Sequence, residues 1–268
     1  MPVICSDWWE RKTRYILGRI MKFGLATTII CMSAISARSA AHPAQTAPSK
    51  DQWGENFNSP RTKLTIKELG RAFVTDRTVV TYNLFVTGLP KSEHYTLWFR
   101  DVGGEPQAEA DGYINEEGKV VNVLSDPAHH IAEDPINLKL FGGKGQPFRF
   151  GLVSDDGQSR VFAEIIPFPM ETTSGACHLS AVETGPYYSG VFIGVSGLQP
   201  DEELNVEVRS GSEGGLTKAK ADDQGNYRSL VLPQVLGMRQ GKVRFDLSSK
   251  SCTIGIGFSW GEGSYQFQ

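Results

Sequence analysis

The sequence predicts an all-β protein made of two tandem antiparallel β-sandwiches. Three observations support this fold class: short segments in which apolar and polar residues alternate, an internal repeat, and the lack of a sustained helical period after the N-terminal region. Alternation with a period of two is typical of strands that bury one face. Gly, Thr, Ser and Val are also plentiful, and long Ala/Leu/Glu/Lys runs are missing, which favours β structure.

The N-terminal region has the three parts of a secretory signal peptide. Residues 23–37 form an apolar run, with basic residues before it and small residues after it. The run is shorter than the roughly 20 apolar residues of a membrane-spanning helix, so we predict cleavage near residues 39–41 rather than a retained anchor. Met21 would itself make a normal start for such a signal. We assign 1–41 to the signal peptide and expect a periplasmic or secreted protein without a stable membrane anchor.

Loss of the signal changes the charge and the cysteine count. Residues 1–41 hold six Lys/Arg and two Asp/Glu, which leaves 21 basic and 28 acidic residues and a formal net charge of −7. An acidic chain without a basic stripe argues against nucleic acid and anionic membranes as partners. Two cysteines remain, Cys177 and Cys252. In an oxidising compartment such a pair predicts a disulfide, and the alternative is two buried free thiols.

The mature chain divides into a lead-in and two halves. Residues 42–62 are polar, contain proline and show no period, which predicts a flexible linker. Strand-length alternating segments begin in the next region, 63–170, and turn residues separate most of them. A stretch rich in Pro, Gly, Ser and Thr at 167–176 then ends this pattern, so we place the second sandwich at 171–268.

The second half repeats motifs of the first. VTGLPKSEHYTLW (86–98) aligns with VSGLQPDEELNVE (195–207), and NEEGKV (115–120) aligns with DDQGNY (222–227). These turn and strand motifs resemble the tandem immunoglobulin-like or fibronectin-III-like modules of bacterial exported proteins. The resemblance covers 63–268 and implies two immunoglobulin-like sandwiches. It also implies adhesion, scaffolding or ligand binding, and it transfers no catalytic residue.

The segment GFSWG (257–261) matches the G-x-S-x-G motif of serine hydrolases, with Ser259 as the candidate nucleophile. That motif requires a helix after the serine, and an acid and a histidine later in the chain. Seven residues follow the motif, and no histidine is among them. A strand accounts for the pattern better, because even positions from Cys252 to Trp260 are apolar and odd positions are small. We therefore predict no catalytic residue and a non-enzymatic protein.

The small positions of this strand form a nearly bare face. They are Gly255, Gly257, Ser259 and Gly261. Alternating glycines often mark close approach by another group. One interpretation is packing against the protein's own first domain or a covering loop, and the other is a docking face for an unknown protein or glycan partner.

Trp98 is the other candidate for ligand contact. It lies on the strand face opposite to Tyr95, Leu97 and Phe99, so it is an exposed aromatic in one interpretation and a packed one in the other. An exposed tryptophan, with tyrosines nearby, would suit stacking on a sugar ring.

Sequence signals for metals and phosphate are weak. His129 and His130 are adjacent, so on a strand their side chains would point in opposite directions, and a solvated loop is the simpler interpretation. The acidic tips 201–203, 222–223 and 155–156 lack the dense spacing of calcium loops. GGKG (142–145) lies between strands, without the helix that a phosphate loop needs. We predict no cofactor.

Together these features predict an exported, non-enzymatic protein with a binding or structural role, such as adhesion or scaffolding. Two alternatives stay open. One is a carbohydrate-binding accessory module, and the other is an enzyme built on a β-scaffold with its site between the domains.

Overall fold

The described residues fold into β-strands, turns and short 3-10 segments. The structure is a computed structural model that describes residues 47–122 and 134–264, and no α-helix lies within these ranges. The predicted signal peptide (1–41), the alternative start at Met21 and the pair His129-His130 lie outside the described residues. No helix within the described ranges is long and apolar enough to cross a membrane. The all-β fold class predicted from the sequence is confirmed.

Within the described residues, nine strands form the two antiparallel sheets of the first sandwich. They are β1 (Lys63–Val74), β2 (Arg77–Thr87), β3 (Tyr95–Arg100), β4 (Gln107–Ile114), β5 (Val120–Asn122), β6 (Asp134–Pro135), β7 (Asn137–Leu140), β8 (Phe148–Ser154) and β9 (Arg160–Ile165). One sheet has the order β1-β2-β7, and the other has the order β6-β5-β4-β3-β8-β9. Their facing sides bury a core that includes Tyr82, Leu84, Leu97 and Phe150, because alternate residues of each strand point inward.

Eight strands form the second sandwich in the same way. They are β10 (Met170–Ser174), β11 (Cys177–Gly185), β12 (Gly190–Ser196), β13 (Glu203–Ser210), β14 (Glu213–Lys220), β15 (Tyr227–Val231), β16 (Gln240–Ser248) and β17 (Thr253–Gly261). The sheet orders are β10-β11-β12-β15 and β14-β13-β16-β17. A separate core between these sheets includes Leu179, Ile193, Phe245 and Leu247.

The predicted disulfide joins the two sheets of the second sandwich. Cys177 begins β11, Cys252 immediately precedes β17, and their Cα atoms are 6.3 Å apart. Both cysteines are buried in the core. The predicted alternation along the two strands explains this placement, since Leu179 and Ile254 share the inward face and are also buried.

The repeated Val-x-Gly-Leu motifs adopt the same local backbone in both halves. Gly88 has φ of 84° and Gly197 has φ of 82°, the left-handed region that favours glycine. At each position a side chain would collide with a backbone carbonyl, that of Arg61 beside Gly88 and that of Ala176 beside Gly197. Both glycines therefore allow a preceding chain segment to pass close to the turn.

The repeated acidic hairpins also match. Oδ1 of Asn115 accepts hydrogen bonds from the backbone N–H groups two and four residues later, at 3.0 and 2.9 Å. Oδ1 of Asp222 accepts the equivalent pair at 3.0 and 2.7 Å. The glycines that close these turns, Gly118 and Gly225, have φ of 78° and 73°. Short polar side chains bond their own turn in this manner, which explains their recurrence.

The end of the predicted flexible linker makes specific contacts with the first sandwich. Oδ1 of Asn58 accepts a hydrogen bond from the N–H of Phe162 at 2.6 Å, and the N–H of Ser59 donates to the carbonyl of Arg160 at 2.8 Å. β9 is an edge strand, whose backbone groups need partners. The segment supplies them, so the described C-terminal part of the predicted linker lies against the edge of the first sandwich.

Trp98 is buried rather than exposed, and a residue from the same segment explains why. Its ring is 7% exposed and lies with Val153 and Phe162 in a small cluster on the outer face of the six-stranded sheet. Trp53 and Phe57 pack against this cluster, and the rings of Trp53 and Phe162 are 5.1 Å apart. The strand face of Trp98 was predicted correctly, but the lead-in segment covers that face.

Candidate functional site

The GGKG loop between β7 and β8 of the first sandwich makes a backbone hydrogen bond to the second sandwich. The N–H of Gly145 donates to the carbonyl of Phe168 at 2.6 Å, and the carbonyl of Gly145 accepts from the N–H of Glu183 at 2.9 Å. Gly145 has φ of 72°, and a Cβ there would lie 2.6 Å from the carbonyl oxygen of Ala181. Only glycine fits this approach, and residues 46–268 form one compact unit.

Two consecutive tyrosines, of which the second contacts this loop, have an unusual backbone conformation. Tyr187 and Tyr188 have φ of 57° and 56°, and such non-glycine residues cost about 1–3 kcal/mol each. Hydrogen bonds hold the second one in place: its N–H donates to Oε1 of Glu183 at 3.0 Å, and its hydroxyl donates to the carbonyl of Lys144 at 2.8 Å. Backbone strain of this kind concentrates at functional sites.

The environment of Tyr188 keeps its hydroxyl protonated. Tyr188 is 4% exposed and Glu183 is fully buried. Burial first, and then the negative charge of Glu183, raise the pKa of Tyr188 above the ordinary value of 10.0. Its hydroxyl is therefore a permanent hydrogen-bond donor that fixes the GGKG loop against the second sandwich.

An open cleft of about 730 Å³ lies beside this contact. Both sandwiches contribute to its wall, which is formed by Lys144, Met170, Tyr188, Arg209, Gly211, Lys242, Val243, Arg244, Gly257, Phe258, Ser259 and Ser264. We call it the junction cleft. Four of these side chains carry positive charge, and among the described residues no carboxylate or histidine lines the wall.

Two of the positive charges lie directly opposite each other on neighbouring strands. Arg209 of β13 pairs in register with Arg244 of β16. Like charges in this position are destabilising. Each arginine is partly neutralised along its own strand: Nε of Arg209 donates to Glu207 at 2.6 Å, and Nε of Arg244 donates to Asp246 at 2.9 Å. The two carboxylates thus hold the guanidinium groups at the cleft.

The other two charges come from lysines. Lys242 lies on β16 two residues before Arg244, on the same exposed face, and Lys144 belongs to the GGKG loop. Neither ammonium group has a hydrogen bond or ion pair to any other described residue. We call Lys144, Arg209, Lys242 and Arg244 the cationic cluster.

The predicted small face of β17 enters the cleft only in part. A Cβ at Gly255 would collide with the Asp246 side chain, so this glycine makes room for the carboxylate that holds Arg244. Gly257 is exposed and lines the cleft together with the half-buried Ser259. Gly261 ends the strand with φ of 88°, where it serves the turn. The face is therefore neither uniformly bare nor covered by a loop of the first domain.

Ser259 faces Lys242 across the strand pair. A serine hydrolase with the G-x-S-x-G motif would need a histidine base within reach of the Ser259 hydroxyl. Cleft-lining residues in the described part of the chain offer only lysine and arginine as ionisable groups besides Tyr188. The described wall therefore offers Ser259 no histidine base.

Within the described residues, Trp98 and the aromatic residues near the junction cleft do not form one platform for stacking on a sugar ring. Trp98 lies under the N-terminal segment, and Trp260 is 3% exposed and donates from Nε1 to the hydroxyl of Ser210 at 3.0 Å. Tyr188 is buried at the junction, while Tyr187 is exposed. Tyr265 lies outside the described residues.

The acidic turns that could supply calcium ligands accept hydrogen bonds from neighbouring groups of the protein. The Asp222 carboxylate caps its own hairpin, and Asp156 accepts from the hydroxyl of Ser154 at 2.6 Å. Glu202 accepts from both the N–H and the hydroxyl of Ser251, at 2.8 and 2.6 Å. Within residues 47–122 and 134–264, no group of three or more His, Cys, Asp or Glu side chains is placed to hold a metal.

Comparisons with known proteins give no family. No family model and no curated protein matches the chain. Among solved structures it is similar to a transglutaminase of red sea bream, with 11% identity and a TM-score of 0.24. The match covers 77% of this chain and 32% of that one, so this chain spans about a third of its length. Such a low score carries no argument about activity.

Sequence reasoning missed the cationic cluster. The alternating basic residues Lys242 and Arg244 in GKVRFD (241–246) were the available signal, because alternate residues share a strand face. That β13 and β16 are neighbours, and that Lys144 of the GGKG loop lines the same cleft as their arginines, follows only from the tertiary structure.

Proposed function

We propose that this chain is an exported, non-enzymatic binding protein whose ligand enters the junction cleft. The observation that carries this proposal is the cleft itself, which both sandwiches line and which remains open at about 730 Å³. This volume lies within the range of small-molecule sites, roughly 300–1,000 Å³. The side chains on its wall are suited to recognition.

The backbone strain and the like charges at the junction of the two sandwiches support a functional role there. The left-handed Tyr187 and Tyr188 and the left-handed Gly145 all lie where the sandwiches meet. The left-handed conformation of the two tyrosines costs stability, and the repulsion between Arg209 and Arg244 adds to the cost. A junction that served packing alone would be better stabilised by apolar contacts.

The disulfide supports export. Such bonds persist in oxidising compartments and are rare in the cytosol, and Cys177 and Cys252 are bonded in the core. Intact-mass analysis of material recovered outside the cytoplasm should show a chain that begins near residue 42. A chain that retained residues 23–37 would contradict cleavage of the signal.

A bulky residue at Gly257 tests the location of the binding site. A Cβ there makes only an ordinary contact of 3.5 Å with the Val243 carbonyl, so Gly257→Trp should obstruct part of the cleft and leave the fold intact. Gly70→Trp is the control, because Gly70 is also an exposed strand glycine with open space around it.

The assay compares what immobilised wild type and both variants retain from the exported fraction of the source cells. We expect the wild type and Gly70→Trp to retain the same component, and Gly257→Trp to lose it while its melting temperature stays unchanged. Equal retention by all three proteins would place binding elsewhere and contradict the proposal.

An enzyme with its site between the domains is the second candidate, because Ser259 lies on the cleft wall opposite Lys242. Serine–lysine pairs do activate serine in some hydrolases. A panel of ester substrates on wild type and Ser259→Ala separates the two functions. A binding protein should show no serine-dependent turnover, whereas loss of turnover in Ser259→Ala would favour the enzyme.

A further inference from the structure

The junction cleft concentrates positive charge in a protein whose overall charge is negative. The four members of the cationic cluster line its wall, while residues 42–268 carry a formal net charge of −7. The cluster therefore does not reflect a generally basic surface. A cleft with one sign of charge focuses its electric field and raises the local concentration of oppositely charged ligands.

The two arginines retain donors for a ligand. Each guanidinium carries five N–H donors, and Arg244 uses Nε and one terminal nitrogen for Asp246. Arg209 uses the same two nitrogens for Glu207. No described residue accepts from the other terminal nitrogen of either arginine, so each can contact an oxyanion while its carboxylate partner holds it in position.

The two lysines complete the set from two different elements. Lys242 is exposed on β16, and Lys144 is exposed on the GGKG loop of the first sandwich. The carbonyl of Lys144 accepts from the Tyr188 hydroxyl, so the backbone that carries this ammonium group is fixed at the cleft. The charge therefore comes from both sandwiches.

We infer that the junction cleft binds a ligand bearing oxyanion groups (phosphate, sulfate or carboxylate) through the cationic cluster. This inference rests on the proposed binding function and adds the chemical class of the ligand. An oxyanion relieves the repulsion between Arg209 and Arg244 and supplies the acceptors that the lysines lack. The same groups occur in free anions and on acidic sugars, so the test includes one probe of each source.

The test measures binding to the mature chain by titration calorimetry. The probes are inorganic pyrophosphate, a sulfated disaccharide and the uncharged trisaccharide maltotriose. We expect at least one of the two anionic probes to bind, and maltotriose not to bind. Preference for pyrophosphate indicates a free anion as the source, and preference for the disaccharide indicates an acidic glycan.

Removal of the lysines is the cleanest change, because loss of either arginine would leave Glu207 or Asp246 without its partner. The double variant Lys144→Gln/Lys242→Gln should weaken binding of the anionic probe by about tenfold or more for each charge-assisted hydrogen bond that it removes. The matched control is Lys67→Gln/Lys139→Gln, which removes two charges from exposed strand positions of the first sandwich. It should change affinity less than about twofold, since neither lysine lines the junction cleft and salt screens the attraction of more distant exposed charges.

Two results would overturn the inference. One is that neither anionic probe binds the folded wild type, and the other is that both double variants weaken binding equally, which would indicate general electrostatic attraction. The proposed function is judged separately by Gly257→Trp. Cleft-dependent retention without binding of either anion would keep the binding function and reject the anionic ligand.

Discussion

The outer faces of two sheets, one in each sandwich, are completed in different ways. On the first, the rings of Trp98 and Phe162 flank Gly151, and Trp53 from the N-terminal segment closes over them. On the second, the face of β13, β16 and β17 carries charged side chains beside Gly257, which stays exposed. A strand glycine thus makes room for a ring in one sheet and for open space in the other. The face that stays open is the one for which we propose a binding role.

The largest expected effect is the loss of stability when a covered phenylalanine is truncated, compared with the loss when an exposed phenylalanine is truncated. Phe162 is 1% exposed beneath Trp53, so Phe162→Ala should lower the free energy of unfolding by about 3–5 kcal/mol. Phe192 lies on the outer face of β12 and is 40% exposed, so Phe192→Ala should cost less than about 1 kcal/mol. Urea denaturation of both variants measures this. Equal losses would mean that Phe192 is covered in solution.

The disulfide should stabilise the second sandwich alone. Closing the 75-residue separation between Cys177 and Cys252 should contribute about 2–4 kcal/mol by restricting the unfolded chain. Hydrogen exchange after reduction should therefore rise in residues 171–264 and change little in the first sandwich. Free thiols in the native, unreduced protein would contradict the bond. A uniform rise in exchange would show that the sandwiches unfold as one unit.

Gly151 on the covered face and Gly257 on the open face allow a direct test of the difference between the two faces. A Cβ at Gly151 would lie 2.5 Å from the Phe162 ring, so Gly151→Ala should cost about 1–3 kcal/mol through overpacking. A Cβ at Gly257 meets nothing closer than 3.5 Å, and Gly257→Ala should change stability by less than about 0.5 kcal/mol. Thermal melts of the two variants give the difference. A large loss in Gly257→Ala would show that this face is covered after all.

The smallest effect concerns Glu202, an acidic turn residue of the second sandwich outside the cleft. Its hydrogen bond from the Ser251 hydroxyl, followed by that from the Gln199 N–H, lowers the pKa of Glu202 from 4.5 to about 2. Because the pKa is lower in the folded state, its contribution to stability is present above about pH 4.5 and is lost as the pH falls towards 2. Ser251→Ala should raise this pKa, as measured by carboxyl NMR titration. An unchanged pKa would show that Ser251 does not act on Glu202.

Strand prediction succeeded where one face of a strand is buried and failed where neither face is. Among the alternating segments of region 63–170, the sequence pattern of residues 79–86 lies within β2 and that of residues 148–153 lies within β8. By contrast, β14 (Glu213–Lys220) is an edge strand with almost every residue exposed, so its sequence carries no alternation that a core would require. The strand β4 was missed for the same reason, since most of its first half is exposed.

Local sequence patterns are enough to predict the all-β class, the inward face of β17 and the pairing of Cys177 with Cys252. These follow from local periodicity and from the count of cysteines, both of which are properties of the linear chain. The burial of Trp98, the exposure of Gly257 and the assembly of the cationic cluster arise from the three-dimensional fold. Each of these depends on which distant segment lies across a strand, because a side chain's exposure is set by its spatial neighbours. The proximity of residues far apart in the chain, such as Lys144 and Arg209 on the wall of one cleft, leaves no periodic signal in the sequence.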